Sequence, residues 1–290
     1  MSRHQIIRGI PFPILNYLSR EKIQATLDYL PRDGDIIIAS YPKTGSTWLQ
    51  YIVLQITSKG QLFLSSINDF EKVMPCMGMS GPEDIDNLTG VRFYRHHYRY
   101  DMVKKNPKAK VLYVYRNPAD TVISRYHFSQ EIYEQKLDLD EFFNEFLTGN
   151  IGYGQYFEHI LSFLAHKNDD NLLLISYEKL YDDPKDGILR IAKFLGEEYY
   201  RNLSDDESLL NKIVECTNFD CMKKNLTLEV PHQTPRLPSS EKSKNTINYF
   251  RKGVIGDGKN SLSKDQLRRL REVATEVMKG SEVLQDWFKE

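Results

Sequence analysis

The stretch Tyr41-Pro42-Lys43-Thr44-Gly45-Ser46-Thr47-Trp48 concentrates a cation, small hydroxyl side chains, a glycine and an indole. An apolar run at residues 35–40 precedes it, and an amphipathic helical pattern at residues 49–56 follows. A strand that turns through small residues into a helix N-terminus makes an anion site, because free backbone N–H groups and the helix dipole point at the loop. Gly45 lets the backbone approach such an anion, Ser46 and Thr47 add hydroxyl donors, and Lys43 adds charge. The loop of ATP- and GTP-binding proteins reads Gly-x-x-x-x-Gly-Lys-Ser/Thr. Here Lys43 stands two residues before Gly45 and no glycine opens the loop, so the pattern predicts a P-loop-like phosphate cradle of a different kind.

A second candidate is Arg251-Lys252-Gly253-Val254-Ile255-Gly256-Asp257-Gly258-Lys259-Asn260. Two adjacent cations beside a glycine suit an anion held by side-chain charge and backbone N–H together. Taken alone, the same residues also suit a solvated basic turn.

The elements that must position these groups repeat one grammar: a β-rich run, small polar residues, then a helical pattern. It occurs at residues 35–40 with a helix from about Thr47. It recurs at 110–115, followed by Arg116-Asn117-Pro118 and a helix with Pro118 in its first turn. The third copy is 172–177, followed by a helix over 184–195 that stops at Gly196. Continuous apolar strands alternating with helices predict a buried parallel sheet, whose ligands bind beyond the strand C-terminal ends. Residues 202–216 read as a further helix. Residues 225–248, polar and with three prolines, read as a long loop of the functional kind, a gate that orders only through contacts made with a bound ligand. Ser263-Lys264-Asp265-Gln266 reads as a capping box opening a helix to about Lys279, with Gly280 as its stop.

The 290 residues carry a net charge of −1 and are 40% hydrophobic. That suits one α/β domain over 1–290, a central parallel sheet flanked by helices. The neutral balance argues against a general nucleic-acid binder. No apolar run reaches the roughly 18 residues of a membrane span, and none follows the N-terminus as a secretory signal would. Cys76, Cys216 and Cys221 cannot all pair and lack metal-ligand spacing, which points to reduced thiols in a cytoplasmic protein.

The two long stretches, in this order, resemble the two signatures of the cytosolic sulfotransferase family. The likeness continues through Arg116 with Ser124, Tyr126-His127-Phe128, Ser176-Tyr177-Glu178 and Cys216-Thr217-Asn218-Phe219, over about residues 10–284. It implies 3′-phosphoadenosine 5′-phosphosulfate (PAPS) as co-substrate, 3′-phosphoadenosine 5′-phosphate (PAP) as product, and no metal. Lys43, Thr44, Gly45, Ser46 and Thr47 would hold the 5′-phosphosulfate, and Trp48 would stack on the adenine. Arg116, Ser124, Arg251, Lys252 and Gly253 would hold the 3′-phosphate, with Tyr177, Thr217, Asn218 and Phe219 lining the base. Arg92-Phe93-Tyr94-Arg95-His96-His97 resembles the family's Arg-x-x-Lys-Thr-His, which places the general base at His97 beside Arg95. Lys43, Arg95 and Ser124 complete the implied catalytic set.

The implied reaction is direct, in-line transfer of a sulfonate group to a hydroxyl or amine of a small acceptor: a phenol, phenolic amine or steroid. By resemblance the acceptor walls include Phe12, Cys76, His97, Phe128 and Glu131. Glu131 and Glu134 suit either an amine-bearing phenol or an exposed helix face. Three parts of the chain depart from the family pattern. Arg95 replaces a lysine, and Gly258 replaces a tryptophan. Lys259, Ser263, Lys264 and Arg268 stand where relatives carry the dimer segment Lys-x-x-x-Thr-Val-x-x-x-Glu. A monomer, or a dimer through another surface, is expected. Two other readings are a non-catalytic nucleotide-binding protein on the same fold, and a P-loop kinase needing ATP and Mg²⁺.

Overall fold

The computed structural model describes residues 4–15, 17–133, 135–226, 228–229, 246–247 and 250–288. The chain opens with a hairpin, β1 (His4–Ile7) and β2 (Ile10–Pro13), then α1 (Arg20–Leu27) and β3 (Ile36–Ser40). Next come α2 (Ser46–Thr57), α3 (Ile67–Val73), α4 (Met77–Ser80), α5 (Pro82–Asp86) and β4 (Phe93–His96). The middle holds β5 (Lys110–Tyr115), α6 (Pro118–Tyr133), α7 (Leu139–Thr148), α8 (Tyr156–Leu164) and β6 (Leu172–Ser176). Then follow α9 (Tyr177–Asp182), α10 (Pro184–Leu195), α11 (Glu197–Ser204), α12 (Glu207–Thr217) and α13 (Phe219–Asn225). After the two-residue strands β7 (Leu228–Glu229) and β8 (Thr246–Ile247), the chain ends with α14 (Asp257–Ser261), α15 (Lys264–Val277) and α16 (Val283–Trp287).

The central sheet has the order β4-β3-β5-β6, every neighbour parallel. Strands β3, β5 and β6 read as largely apolar runs because both faces are covered. Ile36, Ile38, Leu112, Val114, Leu173 and Ile175 point to one side, against α2, α10 and α12. Ala39, Tyr113 and Tyr115 point to the other, against α6, α7, α8 and α15. Edge strand β4 docks through a buried ion pair: Arg92 Nε lies 2.6 Å from Asp35 Oδ1, and Tyr94 Oη donates to Asp35 Oδ2 at 2.9 Å. Arg92 is therefore committed to the sheet.

Local stops and starts follow the side-chain chemistry. Asp183 caps α10, which begins at Pro184 and ends before Gly196. Ser263 and Gln266 form the reciprocal capping box at the start of α15. Three expectations shift. The helix expected over 202–216 is two helices: Asn202 belongs to α11, and Asp206 restarts the chain by accepting from Leu209 N at 3.0 Å. Tyr177 opens α9 instead of closing β6, because Ser176 accepts from Lys179 N as its cap. Strand β4 was not foreseen, although it carries the sequence before His97. Of the long loop at 225–248, Asn225 and Leu226 close α13, and the backbones of β7 and β8 pair antiparallel; the rest, and with it the gating expectation, lies outside the described residues. Among the described residues, no helix is long and apolar enough to cross a membrane.

Candidate active site

All four strands deliver their C-terminal ends to one rim, where α/β sheets place their ligands. The loop after β3 carries residues 41–45, His97 follows β4, Arg116 follows β5, and Tyr177 follows β6. In the loop, Thr44 Oγ1 donates to the carbonyls of Tyr41 and Val114 at 2.8 and 3.0 Å. That hydroxyl ties the cradle to β3 and β5, so Thr44 can meet an anion only through its backbone. Lys43 has φ +72°, a left-handed conformation that costs a non-glycine residue about 1–3 kcal/mol and is held by its surroundings. Gly45, φ +108°, caps α2 without any side-chain hydrogen bond, which leaves the first turn facing the cradle. A Cβ there would lie 2.6 Å from the Tyr177 ring.

Four cations converge on this cradle. Burial, with the guanidinium groups of Arg116, Arg251 and Arg95 nearby, pushes the Lys43 ammonium down to about 7. Lys43 Nζ also sits 4.0 Å above the Phe128 ring. Arg116 lies over the Tyr177 ring at 4.3 Å, and its Nη2 donates to Val254 O at 2.9 Å. Ser124 is half-buried on α6, eight residues beyond Arg116. Arg251 and Lys252 both bind the carboxylate of Asp257, which is held below the ordinary range against its burial by those two cations. Buried Asp120 accepts from Gly256 N at 2.9 Å and Gly258 N at 2.7 Å, tying α14 to the start of α6.

The adenine-side residues form an aromatic shelf. Trp48 meets Tyr177 edge-on at 5.3 Å, and Phe219 meets Phe250 edge-on at 6.1 Å. Gly253 packs against the Phe219 ring. The Thr217 hydroxyl is spent inside α12, donating to Ile213 O at 2.8 Å. Asn218 is exposed, and its side chain caps α13 by accepting from Cys221 N, so the carboxamide oxygen is engaged there. Three buried donors, Trp48 Nε1, Arg116 Nε and Arg251 Nε, have no hydrogen-bond partner among the described residues. Orphaned donors beside an uncapped helix start and converging cations fit a nucleotide with two phosphate-type ends.

On the expected acceptor side stands His97. Register sets its place: Ala39 pairs with His96, so His97 falls beside Ser40. Its Nδ1 lies 2.9 Å from Ser40 O. A carbonyl only accepts, so the neutral ring carries its proton on Nδ1 and presents a lone pair at Nε2. Burial first, then Arg95, pushes His97 well below its ordinary range. Arg95 Nη1 is 3.5 Å from Nε2, and Arg95 Nη2 is ion-paired with Glu71. His96 turns away: buried, with Nδ1 accepting from Tyr98 N at 3.1 Å, it serves the turn. Cys76 is a buried free thiol raised by that burial, and its N–H donates to Glu71 Oε2 at 3.0 Å. Phe12 is fully buried and meets Tyr153 edge-on, as His97 does from its side, both at 5.4 Å; it stands one ring behind His97. Glu131 is half-buried on α6, and Glu134 lies outside the described residues.

Glu71, Asp120, Asp257, Tyr153 and His159 were missed in the sequence. Asp120 had a signal: it stands four residues after Arg116, on the same face of a turn. The others come together only through the fold.

The chain matches the family described as "Sulfotransferase domain" over residues 33–282. It is 30% identical to Sulfotransferase 1B1 of Mus musculus over 96% of this chain and 92% of that protein. It is equally 30% identical to 3-beta-hydroxysteroid sulfotransferase of Cavia porcellus, over 94% and 93%. Among solved structures, mouse sulfotransferase SULT7A1 complexed with PAP superposes with a TM-score of 0.77 at 28% identity, covering 98% of both chains.

Proposed function

Since the chain belongs to the sulfotransferase family and transfers a sulfonate group from PAPS to a small acceptor, we propose that the transfer is direct and in-line, with His97 as general base. The observation that carries this reading is the His97 ring: half-buried, neutral, protonated on Nδ1 and with its Nε2 lone pair 3.5 Å from Arg95 Nη1, at the rim where the cradle lies. Bound PAPS supplies a sulfonate group on a phosphate leaving group. His97 Nε2 takes the proton as the acceptor hydroxyl attacks sulfur. Lys43 neutralises charge that grows on the departing phosphate oxygen, a contact stronger in the transition state than before it. Arg95 carries charge beside the same lone pair in place of a lysine, and Ser124 with Arg116, Arg251 and Lys252 holds the 3′-phosphate. Aromatic walls at Phe128 and Tyr153, with Phe12 packed behind Tyr153, support a planar phenol, phenolic amine or steroid as acceptor, as does the steroid sulfotransferase among the relatives. One domain over 1–290, in the cytoplasm, completes the reading; free Cys76, Cys216 and Cys221 support that compartment.

The test is a pair of variants assayed with PAPS across a phenol panel. His97→Ala should lose roughly 10²- to 10⁴-fold in rate, the range for a general base, and keep PAP binding. His96→Ala should keep its rate once folded. A larger loss at His96, with His97→Ala active, overturns the assignment.

A further inference from the structure

Buried His159 on α8 makes contacts that lead to both halves of the site, and the phosphate loop and the base do not account for it. Its Nε2 lies 3.1 Å from the His97 carbonyl oxygen, and its Nδ1 lies 2.9 Å from Tyr113 Oη. Its ring meets Tyr41, the first residue of the phosphate loop, edge-on at 5.4 Å. On its faces it stacks with Tyr113 at 5.8 Å and Phe163 at 5.7 Å. We propose that His159 is a positioning residue that locks His97 in register with the phosphate loop, a role that rests on His97 being the base.

The directions of the hydrogen bonds follow from donor chemistry. The His97 carbonyl can only accept, so His159 carries its proton on Nε2. Its Nδ1 then has only a lone pair, so the Tyr113 hydroxyl must donate to it. His97 Nδ1 donates in turn to Ser40 O. The sequence Tyr113 to His159 to His97 to Ser40 therefore has one sense throughout, and it leaves the His97 Nε2 lone pair outside the relay, with Arg95 Nη1 3.5 Å away. His97 is held at its backbone from α8 and at its ring from β3. An imidazole that only filled space would need neither polar bond. A base misplaced by about 1 Å can lose about 10²-fold in rate, which sets the scale of the effect.

Full-length protein should be compared as wild type, His159→Phe, His159→Gln, Tyr113→Phe, His97→Ala and His97→Ala/His159→Phe. The probe is PAPS with whichever phenol of the panel turns over fastest. His159→Phe should lower kcat by about 10- to 100-fold, while KM for PAPS and the PAP dissociation constant change little. Its acid limb of kcat should move up, because a loosened His97 regains solvent. His159→Gln keeps an N–H donor and should recover most of the rate; Tyr113→Phe should fall between. The double variant should be no slower than His97→Ala, since both changes remove one function. A folded His159→Phe with wild-type kcat and an unmoved acid limb overturns the proposal, as do losses that multiply in the double variant. Should His159→Phe not fold, His159→Gln and Tyr113→Phe decide: unchanged kcat and pH profile in Tyr113→Phe with no recovery in His159→Gln overturns it. An active His97→Ala overturns the base assignment itself, which separates the two failures.

Discussion

Three guanidinium groups face one ammonium at the cradle, and the ammonium, the strongest acid among them, yields. Lys43 is the group pushed down to about 7, through burial first and then Arg116, Arg251 and Arg95. A bound phosphate-type group restores the charged form, so binding takes up a proton wherever free Lys43 is neutral. The sign follows: affinity is full below about pH 7 and falls as pH rises above it. PAP titrated calorimetrically from pH 7 to 9 should weaken by up to about tenfold per unit, and Lys43→Gln should flatten that slope. A rise in affinity over the same range would contradict the assignment. In the proposed reading, Arg116 and Arg251 hold a different part of the ligand, its 3′-phosphate. Replacing either by Ala should weaken PAP by about 1.5–3 kcal/mol, the scale for a hydrogen bond to a charged group, and barely affect an analogue lacking the 3′-phosphate. Equal weakening of both ligands would move these arginines elsewhere in the site.

Among the elements, α14 explains the departure at Gly258. A Cβ at this buried position would lie 2.1 Å from the Ala119 carbonyl carbon, and Gly258 N donates to Asp120. The short helix packs its backbone directly on the start of α6, where a larger side chain has no room. Gly258→Ala should therefore destabilise by about 1–3 kcal/mol or more, the range for overpacking a close contact. It should also weaken PAP, because Arg251 and Arg116 stand in the segments that lead into the two elements that part. Denaturant unfolding and calorimetry on the same sample read both effects; an unchanged midpoint would show that the contact yields without cost. The tryptophan that the resemblance leads one to expect would meet the same wall.

For the whole molecule, the question is how copies meet. At residues 259–268, Leu262 is buried and Leu267 half-buried, so the exposed side chains are polar. Arg268 is ion-paired at the surface with Asp265 and Glu272 on its own helix, which leaves Lys259 and Lys264 as cations offered to a second copy. A two-fold contact here would bring like charges together and bury no exposed apolar side chain. Light scattering at micromolar concentration should give a monomer, or a dimer that survives Lys264→Glu. A dimer lost only in that variant would place the interface on this segment after all.

The sequence alone determined what short-range chemistry determines. The phosphate loop between an apolar run and a helix, the capping box at Ser263, the stop at Gly196 and the order of strand–loop–helix units all depend on neighbours within a few residues. His97 was legible through resemblance, and register then explained its place: pairing of Ala39 with His96 brings it to Ser40. The tertiary structure decided the rest, because the partners are far apart in the chain. Glu71 reaches Arg95, Asp120 reaches Gly256 and Gly258, and His159 reaches the His97 carbonyl. No periodicity encodes such pairings. They exist because buried polar groups must find partners, and only the packed sheet and helices fix which ones lie within reach.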